Sequence, residues 1–254
     1  MNNLPELIQK YLRYCEGQRR LDSKTLKAYR IDLEQYCACF VDANISDITI
    51  PDIENYVTEM HDIYKPKTVK RKSASIKALY HYLEFQDLIS VNPFNKIRIH
   101  FRTPQTLPKT IPLHTIQTLL STMYREHRGA ATPFRHKKTL RDIATVEVLF
   151  STGIRISELC SLKKSDVDLY DGSILIFGKG AKERLIQIGS RDVLQLLIQY
   201  KQTFHREMEQ TGRFFVNPDA SPLSDQSVRR MLKKYCALSG IDLHITPHMF
   251  RHTF

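Results

Sequence analysis

Apolar residues recur at three- and four-residue steps through most of the first hundred positions, the signature of helices that bury one face. From Leu4 to Gln18 that face comprises Leu4, Leu7, Ile8, Tyr11, Leu12 and Cys15. A second helix is predicted through Leu26, Tyr29, Leu33, Tyr36 and Phe40, with Ser23 as its N-cap. A third follows Pro51 and carries Ile53, Tyr56, Val57 and Met60, and a fourth runs from Pro66 to Phe85 with Val69, Ile76, Leu79, Tyr80 and Leu83 turned inward. These segments predict a four-helix module.

The pattern changes at TPQTLPKTIP, where prolines at 104, 108 and 112 forbid a regular helix and favour an extended connector. The predicted organisation is therefore a helical domain over 1–103, a linker over 104–112 and a second domain over 113–254. Glycine usage agrees: Gly17 is the only glycine before Gly129, whereas Gly153, Gly172, Gly178, Gly180 and Gly189 crowd the second part. That part predicts a helix from His114 to about Arg125, a polar interval, and a strongly apolar helix from Leu140 to Phe150 ended by Gly153. Two β-rich runs, SILIF from Ser173 and RLIQI from Arg184, flank GKGAKE and predict an antiparallel hairpin. Helices follow at Arg191 to Met208 and at Asp225 to Ser239, with Ser224 as a cap, and a last one starts near Thr246 with Pro247 in its first turn. The expected fold class is mainly α with a small antiparallel β-sheet.

Charge narrows the partner. Lys plus Arg number 38 against 27 Asp plus Glu, a formal net charge of +11 with a pI near 9.4, which favours a polyanion such as nucleic acid. No apolar run approaches the roughly 20 residues of a membrane-spanning helix, and the N-terminus lacks the apolar stretch of a signal peptide, so a cytoplasmic protein without a membrane partner is expected. Cys15, Cys37, Cys39, Cys160 and Cys236 form an odd, scattered set that suggests neither a disulfide framework nor a zinc ribbon.

Three motifs carry candidate chemistry: TGIRISEL from Thr152, GKG from Gly178 and HMFRH from His248. Arg155 is three residues before Glu158, so its plain reading is a surface ion pair; its functional reading is a bidentate phosphate clamp, which Arg251 would complete. Lys179 between two glycines reads either as a solubilising loop lysine or as a mobile cation that enters a groove. Lys182 and Arg184 read as strand-edge phosphate contacts. His248, Arg251 and His252 share one helical face. A metal site on the two histidines is disfavoured by the intervening arginine and the lack of a carboxylate or cysteine cluster, so no metal and no cofactor are expected. At the start of the fourth helix, Lys65, Lys67, Lys70, Arg71 and Lys72 form a basic run without an acid, read as a DNA-backbone contact at a helix N-terminus.

Taken together, TGIRISEL, GKGAKER and TPHMFRH, in this order after a helical module, resemble the tyrosine recombinases, nearest to the Xer and phage or transposon integrase branch. The resemblance implies a helical, SAM-like core-binding domain and a mixed α+β catalytic domain that clamp double-stranded DNA, with four copies assembling as a homo-oligomer on two sites. By motif position it implies Arg155, Lys179, His248 and Arg251 as catalytic residues, with Glu158 supporting the site. The implied reaction is strand exchange through a 3′-phosphotyrosyl bond, in which bond energy is conserved and no nucleotide is consumed. Lys179 would protonate the departing 5′-oxygen and His248 would handle the nucleophile's proton. The family's nucleophilic tyrosine would lie beyond the position matching Phe254, and none of the twelve tyrosines present stands where it should. The catalytic domain is thus expected to be C-terminally incomplete and the chain to bind DNA without cleaving it. The alternatives are a non-catalytic DNA-binding regulator built on the same fold and a metal-dependent nuclease; the scarcity of clustered acids near the motifs argues against the nuclease.

Overall fold

The computed structural model describes residues 3–41, 43–97, 107–178 and 183–254, which fall into two compact units, Met1–Thr106 and Leu107–Phe254. Most of the described chain is helical, with a single small antiparallel sheet among the described residues.

In the first unit four helices form in order: α1 (Leu4–Gly17), α2 (Ser23–Cys39), α3 (Ile50–Ile63) and α4 (Pro66–Phe85). α4 packs against each of the other three and is the spine of the unit. The apolar stripes meet in one core around Leu4, Tyr11, Leu33, Tyr36, Ile53, Ile76, Leu79 and Tyr80. Two of its tyrosines pair their polar ends: the hydroxyls of Tyr36 and Tyr80 bond each other at 2.8 Å. Local chemistry sets the helix starts. Thr49 and Asp52 form a reciprocal capping box on α3. The cap of α2 differs from expectation: Asp22 accepts from Thr25 N–H at 3.0 Å, and Ser23 is the first helical residue. A carboxylate facing the helix dipole is a stronger acceptor there than the neighbouring hydroxyl.

The second unit opens with a helical hairpin, α5 (Leu113–Arg128) and α6 (Pro133–Thr152). α6 starts well before the apolar run that marked it, because Thr132 accepts from Arg135 N–H at 3.2 Å and Pro133 occupies the first turn. The segment expected as a polar interval is thus largely helix. After α6 come a short helix α7 (Ile156–Ser161) and a three-stranded antiparallel sheet of β1 (Val167–Asp168), β2 (Ser173–Phe177) and β3 (Glu183–Gln187), in that order. Register pairs Ile174 with Ile186 and Ile176 with Arg184. The two-residue β1 is too short to show alternation and was not foreseen.

The expected helix from Arg191 to Met208 is two helices, α8 (Arg191–Thr203) and α9 (His205–Thr211). Neither proline nor glycine marks the break. Phe204 leaves helical geometry at φ −107° and ψ 16°, and its buried ring packs on Tyr200 at 4.7 Å between centroids. Tyr200 is itself fixed, donating to Phe214 O at 3.1 Å and accepting from Val216 N–H at 3.0 Å, so aromatic packing overrides the local pattern. α10 (Asp225–Leu238) is capped by Ser224 and packs on α5, α6 and α7, while α11 (Pro247–Thr253) packs on α6. Thr246 takes the N-cap position of α11 without a side-chain cap bond.

Candidate functional site

The site is assembled at the end of α6. Gly153 closes that helix in the left-handed conformation at φ 56°, which an L side chain adopts only at a cost. The next two residues turn the chain, so that Ile154 is buried and Arg155 emerges at the start of α7. Glu158, one turn on, is nearly buried and accepts from Arg155 N–H at 3.0 Å and from Arg155 Nη1 at 2.9 Å. Arg184 on β3 donates to both oxygens of the same carboxylate, at 3.0 and 2.6 Å. Burial alone would raise the Glu158 carboxyl; the hydrogen bonds from Arg184 and Arg155 outweigh it and hold the group down at about 2. Glu158 is therefore a fixed anion that orients both guanidinium groups.

Arg251 arrives from the other end of the unit. Pro247, Met249 and Phe250 are buried and seat α11, which leaves His248, Arg251 and His252 exposed. The Nη1 of Arg251 donates to Gly153 O at 2.8 Å, so the glycine that ends α6 also anchors this side chain. Thr253 Oγ1 accepts from Ile111 N–H at 2.8 Å and ties α11 to the start of the unit.

Arg155 and Arg251, widely separated in sequence, line one open cavity of about 930 Å³ together with Arg184, Ser157, Glu158 and the hairpin ends Gly178 and Glu183. Lys179 and Lys182 lie outside the described residues, although the residues that flank their segment are on the cavity wall. His248 is exposed on the preceding turn of α11 and is not among the described lining residues. The arrangement can bind a tetrahedral oxyanion through two guanidinium forks. Among the described residues no three His, Cys, Asp or Glu side chains gather into a metal-binding group.

Residues 110–254 match the phage integrase family, and residues 8–86 match that family's N-terminal SAM-like domain. A tyrosine recombinase of Agathobacter rectalis is 58% identical over the whole of this chain and 83% of its own length. The chain belongs to the phage integrase family of tyrosine recombinases. Tyrosine recombinase XerD of Listeria monocytogenes is 33% identical across 98% of the chain and 83% of the relative. The fold is that of a solved XerH site-specific recombinase bound to its difH substrate, with a TM-score of 0.75 and 18% identity over 100% of this chain and 84% of that one. The recombinase is thus, by family, an enzyme that breaks and rejoins DNA.

The basic run of this recombinase divides in the structure. Lys65, Lys67 and Lys70 are exposed at the start of α4, and Arg71 is half exposed while paired with Asp32. Lys72 corrects the expectation of a DNA contact: its side chain is 3% exposed, its Nζ lies 3.2 Å from buried Asp32 and also donates to Gln35, and it sits 4.9 Å above the Tyr64 ring. Its ammonium closes an internal network and faces no solvent. Arg184 also departs from a simple strand-edge contact, since its guanidinium is held by Glu158.

Sequence reasoning missed several features. The acceptor role of Gly153 O cannot be read from residue type, and Ser157 gave no signal beyond lying inside the arginine motif. It also missed a buried cluster in which Arg141 bonds Asp142 and Asn217, while Tyr235 OH donates to Asp142 Oδ2 at 3.1 Å. Burial pushes the Tyr235 hydroxyl well above its ordinary range, reinforced by the Asp142 charge, so this phenol is a structural donor. None of the described tyrosines of this unit, Tyr124, Tyr170, Tyr200 and Tyr235, lines the arginine cavity.

Proposed function

We propose that the cavity holds one backbone phosphate of duplex DNA, with Arg155 and Arg251 bonding its non-bridging oxygens, as the core of a site-specific recombination reaction. The observation that carries this reading is the shared cavity wall, with Arg251 fastened to Gly153 O beside the start of α7. Two fixed cations facing one oxyanion offset the charge that grows on a phosphorane, and Glu158 keeps one of them oriented. Lys179, on the hairpin whose ends border the cavity, is assigned to protonating the departing 5′-oxygen, and His248 to the nucleophile's proton. Lys65, Lys67, Lys70 and Arg71 supply sequence-independent backbone contact, as does Lys182. The first unit acts as the core-binding domain and the second as the catalytic domain.

The nucleophile of such a reaction is a tyrosine, and no described tyrosine lines the cavity. The 254-residue chain is accordingly assigned DNA binding without cleavage. The same observation favours the second reading, a non-catalytic DNA-binding regulator. A solved lambda integrase is a tetramer bound to a Holliday junction, and the same assembly on two sites is proposed for the recombinase.

The test is a nicked suicide duplex incubated with the chain and resolved under denaturing conditions. The expected outcome is a non-covalent complex weakened by Arg155→Ala and Arg251→Ala, with no covalent adduct. A protein–DNA adduct would overturn the assignment of binding without cleavage, and binding indifferent to both substitutions would overturn the phosphate site.

A further inference from the structure

A second cationic cavity lies in the same unit between α6 and α10. It measures about 310 Å³ and is lined by Lys138, Arg141, Asp142, Asn217, Ser227, Arg230, Met231 and Lys234. Its floor is rigid: the Arg141 side chain is 7% exposed and fixed by Asp142 and Asn217, and Asp142 is fixed in turn by Tyr235. A guanidinium has five N–H donors, and those bonds engage three of them, one from each nitrogen. Two N–H groups therefore remain on a nearly buried cation at the bottom of an open cavity. Its rim carries Lys138, Arg230 and Lys234, all exposed, and none forms an ion pair among the described residues. The one lining carboxylate, Asp142, is already matched by Arg141. The cavity wall thus carries four cations against one carboxylate, with Lys138 near Asp142 and Lys234 Nζ 4.8 Å over the Tyr235 ring, a net positive lining with free donors that attracts an anion.

We propose that this α6–α10 cavity is a second phosphate-binding site, which holds a DNA backbone phosphate distinct from the one between Arg155 and Arg251. The inference rests on the reading of the protein as DNA-binding. Lys138 and Thr152 stand fourteen residues apart on α6, roughly 21 Å at about 1.5 Å per residue. That separation is far larger than one phosphate group, so the site would brace the duplex well away from the reacting phosphate. Arg141 is the buried donor, and Lys138, Arg230 and Lys234 close over the anion from the rim.

The experiment compares the full chain with Lys138→Ala, Arg230→Ala, Lys234→Ala and the triple variant, titrated with a 30-base-pair mixed-sequence duplex across a salt series. These three side chains are exposed, and thermal midpoints verify that the variants fold. The triple variant is expected to bind about tenfold more weakly, and its log–log salt slope to be shallower by about 1, the value for one phosphate, rather than by about 3. Single substitutions are expected to be sub-additive because they share that phosphate. Unchanged affinity and slope in the triple variant, while the parent chain binds DNA, would overturn this inference and leave the arginine cavity standing. A parent chain that fails to bind the duplex would overturn both readings. Inorganic pyrophosphate is the second probe: if it raises the thermal midpoint of the parent and not of the triple variant, while DNA binding is unaffected, the cavity takes a free anion and the backbone-phosphate proposal is wrong.

Discussion

At Gly153 one residue answers to two neighbours. A Cβ built there would stand 2.8 Å from the Phe254 ring, and φ is 56°. Gly153→Ala is therefore expected to destabilise the fold by about 1–2 kcal/mol or more and to displace Arg251 from its carbonyl anchor. Denaturant midpoints and duplex affinity should fall together; a variant with wild-type values for both would show that the anchor is dispensable. Glu158 makes a pH prediction. Its folded pKa, about 2, lies below the ordinary value of 4.5, so its stabilisation is complete above about pH 4.5 and disappears as pH falls toward 2. Glu158→Gln should be less stable than the parent at neutral pH, with the difference shrinking through that window in pH-dependent unfolding. A constant difference would mean the carboxylate charge is not what holds Arg155 and Arg184. Arg155 was legible because a guanidinium just after a helix-ending glycine is a chemical signal in residue type, and Arg251 because it shares a helical face with two histidines. The Gly153 carbonyl was not, since every residue has one and only tertiary geometry selects it.

At the scale of elements, α4 shows what periodicity reveals and what charge conceals. Its boundaries, Pro66 and Phe85, follow from the proline and the apolar stripe. Lys72 stands three residues after Val69 and four before Ile76, the spacing of the buried face, so its burial was written in the pattern and masked by the basic run around it. Asp32 is the counterpart: fully buried, it accepts from Lys72, Arg71 and Ser75. Asp32→Ala should cost about 3–5 kcal/mol, because it strands a buried ammonium, and Lys72→Met in the same chain should recover much of that loss. Chemical denaturation of the single and double variants checks this, and a double variant no better than the single would refute the account. The division between α8 and α9 was illegible for the opposite reason, since Tyr200, on which Phe204 packs, is held by the remote Phe214, Phe215 and Val216.

For the whole molecule, the excess of positive charge pointed to a polyanion, and the structure separates cations that face solvent from those that do not. Replacing Lys65, Lys67 and Lys70 with alanine should lower duplex affinity and make the salt slope shallower by as much as about 2–3, with little effect on stability. An unchanged slope would remove α4 from the DNA-contacting surface. The central claim concerns the phosphate between Arg155 and Arg251, and a double-mutant cycle on duplex binding at low salt tests it most directly. Each alanine substitution should weaken binding by roughly 1.5–3 kcal/mol, and the double variant should lose less than the sum by at least about 0.5 kcal/mol, because both side chains hold the same group. Wild-type affinity in both single variants, or losses that add in full, would contradict a shared phosphate.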